Sequence, residues 1–399
     1  MRLPRDVVLH VFERLRVGAV PDRGLEAFAV GVEAQREEIE RQLTMVATGE
    51  GLVKFLSGPT GVGKTFLARL ACVDARRLGF ATSCIEVGER NLGAHAGLLH
   101  DVCANLSTAT ALPSALGDIL DRWFAGQELA AQSAGADPDA PDFDRRVRRR
   151  IEDELGSGRL AEAPRDFTRC VLAIFDSKQA GQYAEASALL SWLGGSANVA
   201  GAFKRAAGLK GEIASEDALA YLRGMLHLAR AARYRGIVVV VDELQRLLHA
   251  RANARRAALD GLRLLVDEAP AFPGLYWIFA GTDEFFDSHR GVAGHPSLHS
   301  RIRLVGHDGD ASLRQPRIEL QPFDAERLRS VGLALRDLYP TDDRPWLEHR
   351  VSADGIDTLI ADLSSATWSD MGVVPREFLR RLVELMDRAE TAPRPLALP

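Results

Sequence analysis

Five apolar runs rich in Val, Ile, Leu and Phe punctuate the chain: LVKFLS (52–57), ATSCIEV (81–87), GIVVVV (236–241), GLYWIFAG (274–281) and PRIELQP (316–322). Several are continuous rather than alternating, the pattern of strands covered on both faces in a parallel sheet. Helical periodicity fills the segments between them. From about residue 90 to 235 it runs unbroken by any convincing strand, with Leu98, Leu99, Val102 and Leu106, then Leu116, Ile119, Leu120 and Trp123 at helical spacing. SAGADPDAPD (133–142) and GSG (156–158) interrupt that stretch as loops, because Gly, Pro and Asp do not sustain a helix. After PRIELQPF the pattern is helical only. It opens on Asp324 as N-cap and continues through Leu328, Val331, Leu335 and Leu338. No internal repeat of fixed period is seen.

The expectation is an α/β fold with a parallel sheet, interrupted by a long helical insertion and closed by a helical C-terminal domain. Its 399 residues, 46% hydrophobic, exceed what one core needs, which suits this modular division. The expected boundaries are an N-terminal helical extension at 1–24, a core at 25–321 with the insertion at about 90–235, and the last domain at 322–399. With 50 Lys and Arg against 55 Asp and Glu, the formal charge is −5, so any nucleic-acid surface must be local. The four cysteines, Cys72, Cys84, Cys103 and Cys170, form no CxxC pair; they read as buried small hydrophobes in a reducing compartment. The amphipathic N-terminus and the lack of an apolar run of about 18 residues favour a cytoplasmic protein without a membrane span.

Directly after the first run stands GPTGVGKT, Gly58 to Thr65, followed by the helical FLARLACVDARRLG. Strand, glycine-rich loop and helix in this order make a phosphate-binding loop of the form G-x-x-x-x-G-K-[ST]. Gly58, Gly61 and Gly63 let the loop through Pro59, Thr60 and Val62 turn its N–H groups inward on phosphate oxygens, and the helix N-terminus adds its positive end. Lys64 is placed for the β- and γ-phosphates and Thr65 for Mg²⁺.

The third run delivers Asp242 and Glu243 to a strand end, where α/β sheets place their ligands. Asp242 suits the Mg²⁺ shell with Thr65, and Glu243 suits polarisation of an attacking water. The 178 positions from Lys64 to Asp242 (242 − 64) again call for an insertion. Thr282, directly after the fourth run, can sense the γ-phosphate or cap the next helix. Arg301 and Arg303 stand where oligomeric ATPases present an arginine finger, though solvated surface arginines fit the same positions. Arg376, beside Pro375 in a late helix, can reach back to the nucleotide or lie on a helix surface. No Asn-Lys-x-Asp element for guanine is present, so ATP is favoured over GTP, and the added modules weigh against a small-molecule kinase.

Together these residues resemble an AAA+ P-loop ATPase of the Orc-like or STAND-like kind, with Val30 and Gly31 of FAVGVEAQREEIERQL implied near the adenine. More narrowly, GPTGVGKT, VVVDELQ, IFAGT, PREFLRRLVELMD and the long insertion resemble the ATP-binding proteins of bacterial phage-exclusion (BREX) systems. The resemblance implies an ATP- and Mg²⁺-dependent ATPase with a helical lid, working in antiviral defence on DNA beside a DNA helicase, a methyltransferase or other BREX components, as a homo-oligomer if the arginines act in trans. Threonine stands where asparagine often serves as the sensor, which leaves the strength of turnover open. A nucleotide-gated STAND-like switch and a replication or transposition helper are the alternatives. The basic stretches DRRVRRR (144–150) and RANARR (251–256) can track phosphates or form solvated helix faces, the latter favoured by Glu152, Asp153 and Glu154 close by.

Overall fold

The computed structural model describes residues 3–88, 92–305, 312–366 and 375–392. Helix α1 (Arg5–Arg16) and helix α2 (Glu33–Thr48) lead into strand β1 (Leu52–Ser57), helix α3 (Lys64–Arg77) and strand β2 (Ala81–Glu86). A helical excursion follows: α4 (His95–Ala104), a short strand β3 (Leu106–Ser107), α5 (Leu116–Ser133), α6 (Phe143–Leu155), α7 (Arg165–Gln179), α8 (Tyr183–Leu193), α9 (Gly201–Ala206) and α10 (Ala218–Ala231). The chain returns through β4 (Ile237–Asp242), α11 (Ala252–Glu268), β5 (Leu275–Ala280), α12 (Asp283–Asp287), α13 (Pro296–Ile302) and β6 (Arg317–Glu319). The described residues beyond it are helical: α14 (Ala325–Leu338), α15 (Arg344–Arg350), α16 (Ala353–Ala366) and α17 (Pro375–Thr391).

All five expected runs form strands and, with β3, make a six-stranded sheet in the order β3-β2-β4-β5-β1-β6. Every pairing is parallel except β2 with β3. The two-residue β3 lies inside the stretch read as strand-free; it pairs Leu106 with Ser83 and Ser107 with Thr82 at the sheet edge, too short to leave a periodic signature. The expected start of the insertion, near 90, lies outside the described residues. The 133–142 and 156–158 breaks fall between helices, and Asp324 accepts from the Arg327 N–H at 2.8 Å as the N-cap of α14.

The sheet divides the core by strand alternation. Phe55, Val239, Val241, Trp277 and Phe279 face the insertion helices, whereas Leu56, Val238, Val240, Tyr276 and Ile278 face α1, α2, α3 and the C-terminal helices. Both faces are therefore dry, and β4 and β5 are buried along their whole length. Lys54 is the exception within β1. Fully buried, it donates to the carbonyls of Leu313 (3.0 Å) and Gln315 (2.7 Å) and lies 3.5 Å from Glu38, so one cation ties α2 and the approach to β6 onto β1. Burial pulls its ammonium below the usual lysine value, against the pull of Glu38. Among the described residues no helix is long and apolar enough to cross a membrane.

Candidate nucleotide site

The loop between β1 and α3 needs glycine for two separate reasons. Gly58 (φ +142°) passes so close to the Leu320 carbonyl that a β-carbon would sit 2.5 Å from it, and Gly63 caps α3 at φ +107°, where L side chains are strained. The loop therefore curls tightly onto the helix N-terminus. Lys64, almost wholly buried, folds back to donate to Gly58 O (2.8 Å) and Pro59 O (2.7 Å). Burial lowers its proton affinity, while Asp283, Asp242 and Glu243 raise it.

One residue on, the Thr65 hydroxyl donates to Asp242 Oδ2 at 2.7 Å. Asp242 ends β4, and its other oxygen accepts the Glu243 N–H at 2.8 Å. That short-range bond accompanies a left-handed backbone at Glu243 (φ +64°, ψ +35°), a conformation costing a non-glycine residue about 1 kcal/mol or more. The Glu243 carboxylate accepts from Gln245 Nε2 at 2.8 Å and lies 3.7 Å from Arg246, which also pairs with Glu86 at 2.8 Å. Gln245, the last residue of VVVDELQ, and Arg246 were given no role in the sequence; their part follows from the turn at Glu243.

Because β5 is interposed between β1 and β4, Thr282 at its end stands between the loop and the two acids. It precedes α12 but does not cap it through its side chain; Oγ1 is buried without a hydrogen-bond partner among the described residues. The capping alternative is thus not realised. Neighbouring Asp283 also has a buried, unpartnered Oδ1, and burial together with nearby Glu319 pushes its carboxyl above the ordinary range. The buried Arg317 donates to Ser57 Oγ (2.8 Å) and to both Asp287 oxygens (2.8 and 3.2 Å) beneath the loop. Its position in the PRIELQP run had read only as strand.

Beyond the loop opens a cleft. Thr60 to Phe66, Glu243, Gln245 and Thr282 line one end; Val30, Phe28, Phe323, Val331 and Leu379 make the other apolar, and Pro375 and Arg376 reach in from α17. Gly31 lies outside this wall in an adjoining recess, its N–H bonded to Glu33 Oε1 at 2.9 Å. The segment read as an N-terminal extension supplies Leu15 and Gly18 to Pro21 to the same cleft, with the Val20 carbonyl held by Arg69 Nη1 at 2.5 Å. Nothing local in residues 15–21 signals that role, which arises only when α1 packs on α17. There Asp387 accepts two bonds from Arg16 at 2.8 Å and one from Tyr339 at 2.7 Å.

Arg301 of α13 and Arg303 just past it are both exposed and are not among the residues lining the cleft; Arg301 engages both oxygens of Asp267 and the Ser297 carbonyl. A partly apolar cleft continuous with a glycine-rich loop and its lysine, beside two strand-end acids, has the chemistry to take a phosphorylated ligand. No curated protein matches the chain. The family model for the BREX system ATP-binding protein BrxC/D matches residues 3–395, nearly the entire length, and the chain belongs to that family as an ATP-binding component of a BREX defence system.

Proposed function

We propose that this ATP-binding protein hydrolyses ATP to ADP and phosphate with Mg²⁺, in an AAA+-like arrangement of ATPase core (25–321), helical insertion (about 90–235) and C-terminal lid (322–399). The observation that carries the reading is the convergence of Asp242, Glu243 and Thr282, at the ends of the adjacent strands β4 and β5, with Thr65 in the first turn of α3 beside the Lys64 loop. Thr65 and Asp242 offer hard oxygen donors within 2.7 Å of each other, the donor set a Mg²⁺ ion favours. Bound there, the ion would neutralise charge on the phosphates. Lys64 would exchange its two loop carbonyls for phosphate oxygens, and Thr65 would turn its hydroxyl proton away from Asp242. Glu243, steered by Gln245 and Arg246, would polarise the attacking water, and the unpartnered Thr282 hydroxyl would hydrogen-bond the γ-phosphate or that water. Val30 would border the adenine, with Gly31 shaping the turn behind it, and Arg376 would bring the lid's charge toward the phosphates.

In this reading the protein works in the cytoplasm with other BREX components, a DNA helicase or a methyltransferase among them, on DNA, and as a homo-oligomer in which Arg303 reaches a neighbouring site. A nucleotide-gated switch is the second reading, favoured by the Arg16–Asp387–Tyr339 clasp that holds the lid helix α17 to α1 over the cleft. The test is ATP turnover, with and without duplex DNA, for the wild type and Glu243→Gln. The variant is expected to keep ATP binding and to lose about 10²- to 10⁴-fold in turnover, because an amide does not polarise water as a carboxylate does. Its melting temperature should not move, since glutamine meets the same left-handed backbone. Equal turnover in the two proteins would remove Glu243 from this role.

A further inference from the structure

Behind the phosphate loop, Cys72 Sγ and Cys84 Sγ lie 2.8 Å apart. Cys72 is on α3, eight residues past Lys64 and so about 12 Å along the helix from it. Cys84 is on β2 and pairs with Val240 of β4, two residues before Asp242. Both are free thiols, Cys72 buried and Cys84 partly accessible, and the sulfurs are already well inside van der Waals contact, within 1 Å of the roughly 2.05 Å of a bond. The other two cysteines are buried elsewhere, among the insertion helices. We propose that Cys72 and Cys84 form an oxidisable dithiol whose closure to a disulfide clamps the phosphate-loop helix onto β2 and weakens nucleotide binding.

The oxidant is a small hydroperoxide. Cys84, the accessible member, attacks the peroxide oxygen as thiolate, giving a sulfenic acid and releasing water; Cys72 sulfur then displaces the hydroxyl, releasing a second water as the S–S bond forms. Two thiols and one hydrogen peroxide thus become one disulfide and two waters. The S–H of Cys72 bonded to it holds Cys84 below the ordinary thiol range against the effect of burial, with Arg76 and Arg69 adding to the pull, which suits Cys84 as the attacking sulfur. The consequence for the site follows from what binding requires. Phosphates entering the loop must displace Lys64 from Gly58 O and Pro59 O and free Thr65 from Asp242, and both residues begin α3. A helix bonded covalently to the sheet at its third turn yields less to that rearrangement.

The experiment treats the full-length protein with hydrogen peroxide, maps disulfides by peptide mass under non-reducing conditions, and measures binding of a fluorescent ATP analogue before oxidation, after it, and after dithiothreitol. A peptide linking Cys72 to Cys84 is expected in the wild type, reversed by dithiothreitol and absent from Cys72→Ala and from Cys84→Ser. Oxidation should weaken binding about tenfold in the wild type and leave either single variant unchanged. Free Cys72 and Cys84 thiols after treatment, or Cys84 carried on to sulfinic acid with Cys72 untouched, would overturn the dithiol. A linked pair with unaltered affinity would overturn the clamp. The binding arm rests on the Lys64 loop being the nucleotide site, and the reduced protein reports that independently: no affinity for the analogue even when reduced would count against the site and leave the mapped disulfide standing.

Discussion

The Thr65 hydroxyl and the Asp242 carboxylate meet at 2.7 Å, joining the first turn of α3 to the end of β4 across 177 positions of sequence. Lys64 is bonded to two carbonyls of its own loop, and a triphosphate bound there must compete with those bonds.

Lys64→Ala should reduce ATP affinity at least about 100-fold, since it removes a charge-assisted bond to phosphate from a largely desolvated site. Equilibrium binding of labelled ATP in Mg²⁺ measures it. Tight binding by the variant would exclude the loop as the phosphate site.

Thr282 separates function from stability. Its buried hydroxyl has no partner among the described residues, so Thr282→Val, close in shape, should stabilise the nucleotide-free protein by about 1 kcal/mol in denaturant titration while slowing ATP turnover. A loss of stability would mean that the hydroxyl is already satisfied in the free protein, and an unchanged turnover would remove it from the reaction.

Arg301 and Arg303 are both exposed, but Arg301 is committed to Asp267. If Arg303 serves a neighbour, Lys64→Ala chains mixed with Arg303→Ala chains should recover activity that neither has alone, because an arginine finger is worth about 10³ to 10⁵ in rate. Arg301→Ala should then remain active by itself. Failure of mixing to restore turnover, with a wild-type rate independent of concentration, would point to a monomeric switch.

The Arg16–Asp387–Tyr339 clasp should give a pH-dependent contribution to stability. Burial raises the Asp387 carboxyl, but the bonds from Arg16 and Tyr339 outweigh it and leave the group below its ordinary value. Its contribution is therefore complete above the unfolded aspartate value of about 4 and is lost as pH falls through the folded value. Asp387→Asn should cost about 1 kcal/mol near pH 7, allowing for partial exposure, and progressively less in acid. Urea titrations at pH 7 and below pH 4 test the sign, and an equal loss at both would discard the ionic account.

By itself, the sequence determined what neighbouring residues can encode. The glycine spacing of GPTGVGKT, the valines that carry Asp242 and Glu243 to a strand end, the helical period of the insertion and the cap at Asp324 are each readable because local backbone geometry demands particular residues at short spacing. What touches across the chain was decided only by tertiary structure. Pairing order set β5 between β1 and β4 and so left Thr282 facing the loop rather than capping α12. Helix packing brought residues 15–21 to the cleft wall, although their sequence marks only an amphipathic helix and its end. Lys54 reads as a polar interruption of a strand until Glu38 and two carbonyls from 313–315 surround it, and Cys72 and Cys84 read as unrelated until α3 crosses β2. Arg301 and Arg303 were indistinguishable as sequence; Asp267, on α11, separates them. Side-chain partners of this kind depend on the crossing and register of distant elements, to which periodicity and spacing along one segment are blind.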